Sequence, residues 1–117
     1  MIRQRVWLAV SLAALPLGCS MAPKSFTKVD HPAPIMRARS VGLANQAPKS
    51  QAVPALINRL EDSDPVVRLV AYEELKKETG KSFGYVPWGR DADRASSVTR
   101  WKGWWQEQLK AGMARFR

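Results

Sequence analysis

Gly80-Lys81-Ser82 imitates the end of a phosphate-binding loop, the first place in this chain where residue types and spacing suggest chemistry. A P-loop also needs a glycine five places before Gly80, where Leu75 stands, and it opens a helix whereas this stretch closes one. Nucleotide binding here is rejected. Asp62/Asp64 and Asp91/Asp93 are carboxylate pairs that invite calcium, but neither is followed by the glycine and distal glutamate of a calcium loop. Both pairs fall at expected helix starts, where carboxylates are ordinary caps. Glu73, Glu74 and Glu78 share a helix with lysines and read as a solvated charged face rather than an acid/base pair. His31 stands between Asp30 and Pro32 with no second ligand type nearby. One His and one Cys in 117 residues rule out a Cys/His zinc site and an internal disulfide. No Ser–His pairing is plausible either, so the expectation is no enzyme, no cofactor and no metal.

The C-terminal stretch is more open. Arg94, Arg100, Lys102, Lys110, Arg115 and Arg117 stand against Glu107, interleaved with Trp101, Trp104 and Trp105. Basic and aromatic residues in alternation can stack bases and bind phosphates. They also suit a membrane interface, where Trp anchors and long cations snorkel. The third reading, a core helix with Trp101 and Trp105 inside and cations outside, is favoured, and nucleic acid is disfavoured. If a contact surface exists here, its residues are Arg100, Lys102, Trp104, Lys110, Arg115 and Arg117. The whole chain shares this bias, with 19 Lys+Arg against 10 Asp+Glu and a formal charge of +9. Anionic lipid, acidic polymers and nucleic acid all fit that balance, and charge alone does not choose among them.

The single cysteine carries more information by position than by number. Arg3 and Arg5 precede an uncharged apolar run over residues 6–17, and Gly18-Cys19-Ser20 follows. A charged start, an apolar stretch of about 7–15 residues and small residues after it describe a secretory signal peptide. The run falls short of the roughly 20 apolar residues that a membrane span needs. Leu17-Gly18-Cys19 resembles the end of a lipobox, the processing signal of bacterial lipoproteins, with Pro16 where that pattern usually has Leu. The resemblance implies diacylglycerol on the Cys19 thiol, cleavage before it and acylation of the new amino terminus. Ser20, rather than Asp, after the cysteine implies an outer-membrane address facing the periplasm. The alternative is cleavage near Ala22 and a secreted protein.

From residue 20 to 51 the chain carries Pro23, Pro32, Pro34 and Pro48, five Lys/Arg and one Asp, with no sustained apolar period. It reads as an extended flexible basic linker. Order is expected from Ala52. Pro54 suits the first turn of a short helix presenting Leu56, Ile57 and Leu60. Asp64 then caps a second helix with Pro65 at its first position, a stripe of Val66, Val67, Val70, Ala71 and Leu75, and Gly80 as its stop. An amphipathic helix follows from about residue 91, its stripe running through Ala95, Val98, Trp101, Trp105 and Leu109, with Gly112 near its end.

Asp64-Pro65-Val66-Val67-Arg68, with Ala71 and Leu75 in step, resembles the opening of the second helix of a HEAT repeat. The resemblance covers residues 53–79 and implies that Asp64 and Arg68 fix turns while Val, Ala and Leu build the core. Thr79-Gly80, Phe83-Gly84-Tyr85, Arg100-Trp101 and Trp104-Trp105 also resemble a tail found on HEAT-like repeats of planctomycete and related bacterial proteins. One repeat cannot bury its apolar face alone and needs neighbours, so the C-terminal helix is expected to cover it.

The expected architecture is all-α, one HEAT-like hairpin packed against a Trp-rich C-terminal helix. Its parts are a signal peptide over residues 1–18, a lipid-anchored linker over 19–51 and a helical domain over 52–117. The expected function is non-catalytic binding or scaffolding of a protein partner at the membrane that holds Cys19. The alternative is binding of anionic lipid or cell-wall polymer through the basic Trp helix. Neither the partner's identity nor the oligomeric state follows from these residues.

Overall fold

The computed structural model describes residues 26–114. Every regular element among them is helical, as expected. The four α-helices are α1 (Pro34–Val41), α2 (Lys49–Arg59), α3 (Pro65–Thr79) and α4 (Asp91–Ala114), with single 3₁₀ turns at Phe26–Lys28 and Ala44–Gln46. Helix α3 packs on both α1 and α2, and α4 lies along α2.

The largest departure from the sequence reading lies before Ala52. The expected flexible linker is folded from Phe26 onward. Phe26, Val29, Ala38, Val41 and Ala44 are buried members of the single core cluster. Pro34 begins α1 where its missing N–H satisfies nothing and so forfeits nothing. His31 Nδ1 accepts from the Ala33 N–H at 3.0 Å, fixing the turn before it. Helix α1 escapes a periodicity test because only Ala38 and Val41 among its inward residues are apolar. The third, Ser40, is fully buried and donates its hydroxyl to the Phe26 carbonyl at 2.9 Å. A polar residue in a core position hides the stripe.

Helix α2 is also longer than expected. It starts at Lys49, which leaves Pro54 in its interior rather than in its first turn. Ala52, Val53, Leu56, Ile57 and Leu60 nevertheless form a continuous buried face. That face offsets the one helical hydrogen bond that Pro54 cannot donate.

Helix α3 follows its sequence signals closely. The Asp64 carboxylate accepts from the Val66 and Val67 N–H groups at 2.9 and 3.1 Å, with Pro65 at the first position. Gly80 ends the helix with φ 71°, its N–H donating to the Lys76 carbonyl at 2.8 Å. Val67, Ala71 and Leu75 are fully buried, whereas Val66 remains 54% exposed.

The loop between α3 and α4 is pinned in three places. Ser82 and Tyr85 are joined by a backbone hydrogen bond of 3.1 Å across Phe83 and Gly84, both with positive φ (48° and 68°). That is the backbone of a type I′ turn, in which a non-glycine left-handed residue costs about 1–2 kcal/mol. Packing compensates: the Phe83 ring meets Trp101 edge-on, 4.8 Å between centroids. Tyr85 is buried, rests on Tyr72 and donates its hydroxyl to the Leu60 carbonyl. Burial raises the Tyr85 pKa above its ordinary value, against the pull of Arg68 and Arg94. Arg68, buried, donates to the carbonyls of Pro87 (2.8 Å), Asp62 (2.8 Å) and Ser63 (3.2 Å). One guanidinium thus ties the α2–α3 turn to the loop that leads into α4.

In α4 the inward stripe is Ser97, Val98 and Trp101, flanked by half-buried Arg94, Trp104 and Trp105. Ala95 and Leu109, expected on this face, are exposed. At 3.6 residues per turn Ala95 points well away from the mean direction of Ser97, Val98 and Trp101, whereas Leu109 lies on the same side as Val98 and is exposed because it sits beyond the packed part of the helix. Residues 106–111 are all exposed, so the helix outruns the body that it covers.

Candidate functional site

Arg37 and Asp62 make the most elaborate polar site among the described residues; the sequence offered Asp62 only as half of a carboxylate pair and Arg37 only as one of the linker cations. Arg37 Nε and one terminal nitrogen each donate to a different Asp62 oxygen at 2.9 Å, a bidentate fork. Its other terminal nitrogen donates to the carbonyls of His31 (3.0 Å) and Pro32 (2.9 Å). Arg59 adds a contact to Asp62 at 3.1 Å and reaches Asp30 at 3.6 Å. The Asp64 N–H donates to the remaining side of the Asp62 carboxylate at 2.9 Å. Burial of Asp62 pushes its pKa up. The hydrogen bonds from Arg37 and Asp64 and the charges of Arg37 and Arg59 outweigh it and hold the pKa below the ordinary carboxylate value. The Asp62 oxygens are therefore spent on cations and a backbone N–H. The network joins residues 25 positions apart and closes α1 onto the α2–α3 turn.

The other carboxylate pair is also internally engaged. Asp91 pairs with Arg94, and Asp93 with Arg90 at 3.0 Å, within the start of α4. Glu74 is buried and pairs with Lys77 at 2.9 Å, and Glu73 pairs with Lys76 at 3.0 Å. Both lysines are raised above their ordinary pKa, first by the hydrogen bond to the partner carboxylate.

The residues expected to form a contact surface do not share one face. Arg100 is exposed and donates to the Ser97 hydroxyl at 3.2 Å. Lys102 lies roughly 200° round the helix from it and faces Glu61 at 3.6 Å. Lys110 is exposed on the outer turns. Trp104 is half-buried in an aromatic group, 5.8 Å from Trp101 and 6.3 Å from Phe83 between centroids, with the Lys81 ammonium 5.8 Å above its ring. A cation over an indole face is attracted by the ring quadrupole. Cys19, Arg115 and Arg117 lie outside the described residues.

Two grooves escaped the sequence because their walls come from distant segments. Pro34, Ile35 and Ala38 of α1 and Asp64 and Val66 at the start of α3 line one of ≈ 340 Å³. Ile35 (57% exposed) and Val66 (54%) stand side by side on it. The second, of ≈ 230 Å³, runs between α2 and α4 and is lined by Pro54, Ile57, Asn58, Lys102, Trp105 and Gln106. Apolar exposure can be read only once α1 is known to exist, and the linker reading concealed it. Among the described residues no group of three or more His, Cys, Asp or Glu is placed to hold a metal ion. No described helix is long and apolar enough to cross a membrane. No known protein family, characterised protein or solved structure matches this chain.

Proposed function

We propose that this chain is a lipid-anchored envelope protein whose small helical domain holds another protein at the membrane and catalyses nothing. The observation that carries the binding reading is the apolar groove between α1 and α3. Ile35 and Val66 leave more than half of their surfaces in water beside it. Apolar side chains in a concavity beside a polar rim, here the Asp64 carboxylate, are the pattern on which a small protein contact can centre. The HEAT-like reading of residues 53–79 agrees with the roles of Asp64 as cap and Arg68 as clamp. The anchor reading rests on the sequence around Cys19, and an outer-membrane, periplasm-facing address belongs to the same reading.

Two measurements test this function. Replacing Cys19 by alanine is expected to move the chain from the membrane to the soluble fraction and to abolish the added acyl mass. Retention at the membrane with no acyl mass in the wild-type chain sinks the anchor. For the groove, a photocrosslinking residue at position 66 is expected to give a discrete adduct with one envelope protein. Ile35→Asp should remove that adduct while leaving helical content and melting temperature unchanged, because Ile35 is exposed. Equal adducts from position 66 and from exposed position 82, beyond the other end of α3, would overturn the binding reading.

A further inference from the structure

The large apolar side chains that the described residues leave exposed gather round one helix end. Ile35, Val66, Leu69, Val86 and Trp88 all border the first half of α3, and Leu109 alone stands elsewhere. Around α3, Arg68 marks the side that holds the α3–α4 loop, and Val66 the side that meets α1. At 3.6 residues per turn Leu69 falls between them, on the crest of the helix. A recess and a projection therefore lie on opposite flanks of one ridge. The recess is the groove of ≈ 340 Å³ walled by Ile35 and Val66. The projection is Trp88, 75% exposed.

Trp88 is held out by its backbone. The Gly89 N–H donates to the Val86 carbonyl at 2.9 Å, closing a turn with Pro87 and Trp88 at its centre. Arg68 donates to the Pro87 carbonyl at 2.8 Å, and Arg94 to the Gly89 carbonyl. The same Arg68 guanidinium donates to the carbonyls of Asp62 and Ser63, just before Asp64 of the groove. Projection and recess thus share one frame. An anchor fixed in advance loses little freedom when it is covered, and a tryptophan is a residue round which protein contacts centre.

Area sets the size of what covers it. Together these side chains expose roughly 500 Å² of apolar surface. A standard protein contact covers about 800 Å² on each partner, a little over half of it apolar. The patch supplies that apolar share.

We propose that the groove is filled by a second copy of this chain, Trp88 of each copy seated between Ile35 and Val66 of the other. In a two-fold dimer residue i meets j and j meets i, so one surface must offer both the projection and the recess. This surface does. The two-fold axis passes at Leu69, between them, where each Leu69 meets its counterpart. Asp64 and the Glu73–Lys76 ion pair form the polar rim. The proposal rests on the reading of this groove as a protein contact and names the protein.

The test uses cells producing two forms of the full chain, one with a photocrosslinking residue at position 66 and one with an epitope tag. The expected adduct contains the tagged copy and joins position 66 to the peptide around Trp88. Trp88→Ala in the tagged copy should abolish it without lowering the melting temperature, because the side chain is exposed. Sedimentation of the purified chain is run at moderate salt, which screens the repulsion between two positively charged copies. There Trp88→Ala should weaken dimerisation about 1,000-fold, since the dimer loses that side chain twice. An adduct with a different protein alone overturns self-association and leaves the groove as a contact site. No adduct of either kind, with a monomer in sedimentation, overturns both readings. A two-chain adduct that survives Trp88→Ala overturns the seating of Trp88 in the groove.

Discussion

Trp101→Ala is expected to lower the stability of the domain by about 3–5 kcal/mol. Trp101 is fully buried, and its ring is met edge-on by both Phe83 and Trp104. Truncation removes the largest buried side chain of the core and leaves a cavity that neither α2 nor the turned loop can collapse to fill. A domain of this size has about 5–10 kcal/mol in total, so the variant is expected to be largely unfolded at 37 °C. The Phe83 turn supplies a second channel for the loss. Without the ring beneath it, the left-handed Phe83 loses its closest ring contact and keeps only the more distant Trp104 ring and the Lys81 ammonium to offset its backbone cost. Trp101→Phe is the informative comparison. The Trp101 indole N–H meets no acceptor among the described residues, so phenylalanine discards a buried unsatisfied donor along with part of the volume. It should cost less than half of what alanine costs. Urea melts of the three chains check this, and a Trp101→Ala loss under about 1 kcal/mol would remove α4 from the core.

Arg37→Ala is expected to cost about 3 kcal/mol, because it strips the bidentate partner from a carboxylate whose side chain is 2% exposed. Arg59 and the Asp64 N–H remain, which keeps the loss below that of a fully orphaned charge. Replacing the pair together, Arg37→Met with Asp62→Leu, should be milder than Arg37→Ala alone. The same site gives the fold an acid limit. The Asp62 pKa is depressed on folding, so the folded state holds its proton less tightly than the unfolded chain does. The stabilisation is fully present above the unfolded value of about 3.9 and fades as pH falls through the folded value. Acid should therefore loosen the contact between α1 and the α2–α3 turn below about pH 4, and Arg37→Ala should flatten that dependence. Melting temperature against pH for both chains measures it. Parallel curves would mean that Asp62 is not the group responsible.

How far the sequence reads into this fold depends on which residues face inward. Helix α3 was legible at both ends and at Val67, Ala71 and Leu75, because its cap, its proline and its stopping glycine are local signals, but not at Val66, which is exposed, or at Glu74, which is buried. The buried face of α4 was legible near Val98 and Trp101, where large apolar residues recur at helical spacing, and lost at Ala95 and Leu109. Helix α1 was illegible because Ser40 is a core residue only by virtue of a carbonyl 14 positions away. The Arg37–Asp62 fork has the same character, since no local rule pairs residues 25 apart. The polar networks and grooves of this domain are built from distant segments. That is why spacing found the caps and missed the seam.

The uncovered end of α4 has a consequence for how that helix can form at all. An isolated helix shorter than about 12–15 residues is marginal in water, because its first turn fixes several residues for a single hydrogen bond. Residues 107–111, exposed beyond the groove that Gln106 shares with α2, have little beside them to supply what nucleation lacks. They can be helical only as an extension of the turns anchored at Ser97, Val98 and Trp101, where each further residue adds one bond for one residue fixed. Order in α4 therefore propagates outward from a nucleus inside the core. Whatever loosens Trp101 is felt first at Lys110, several turns away, before the body of the domain gives way.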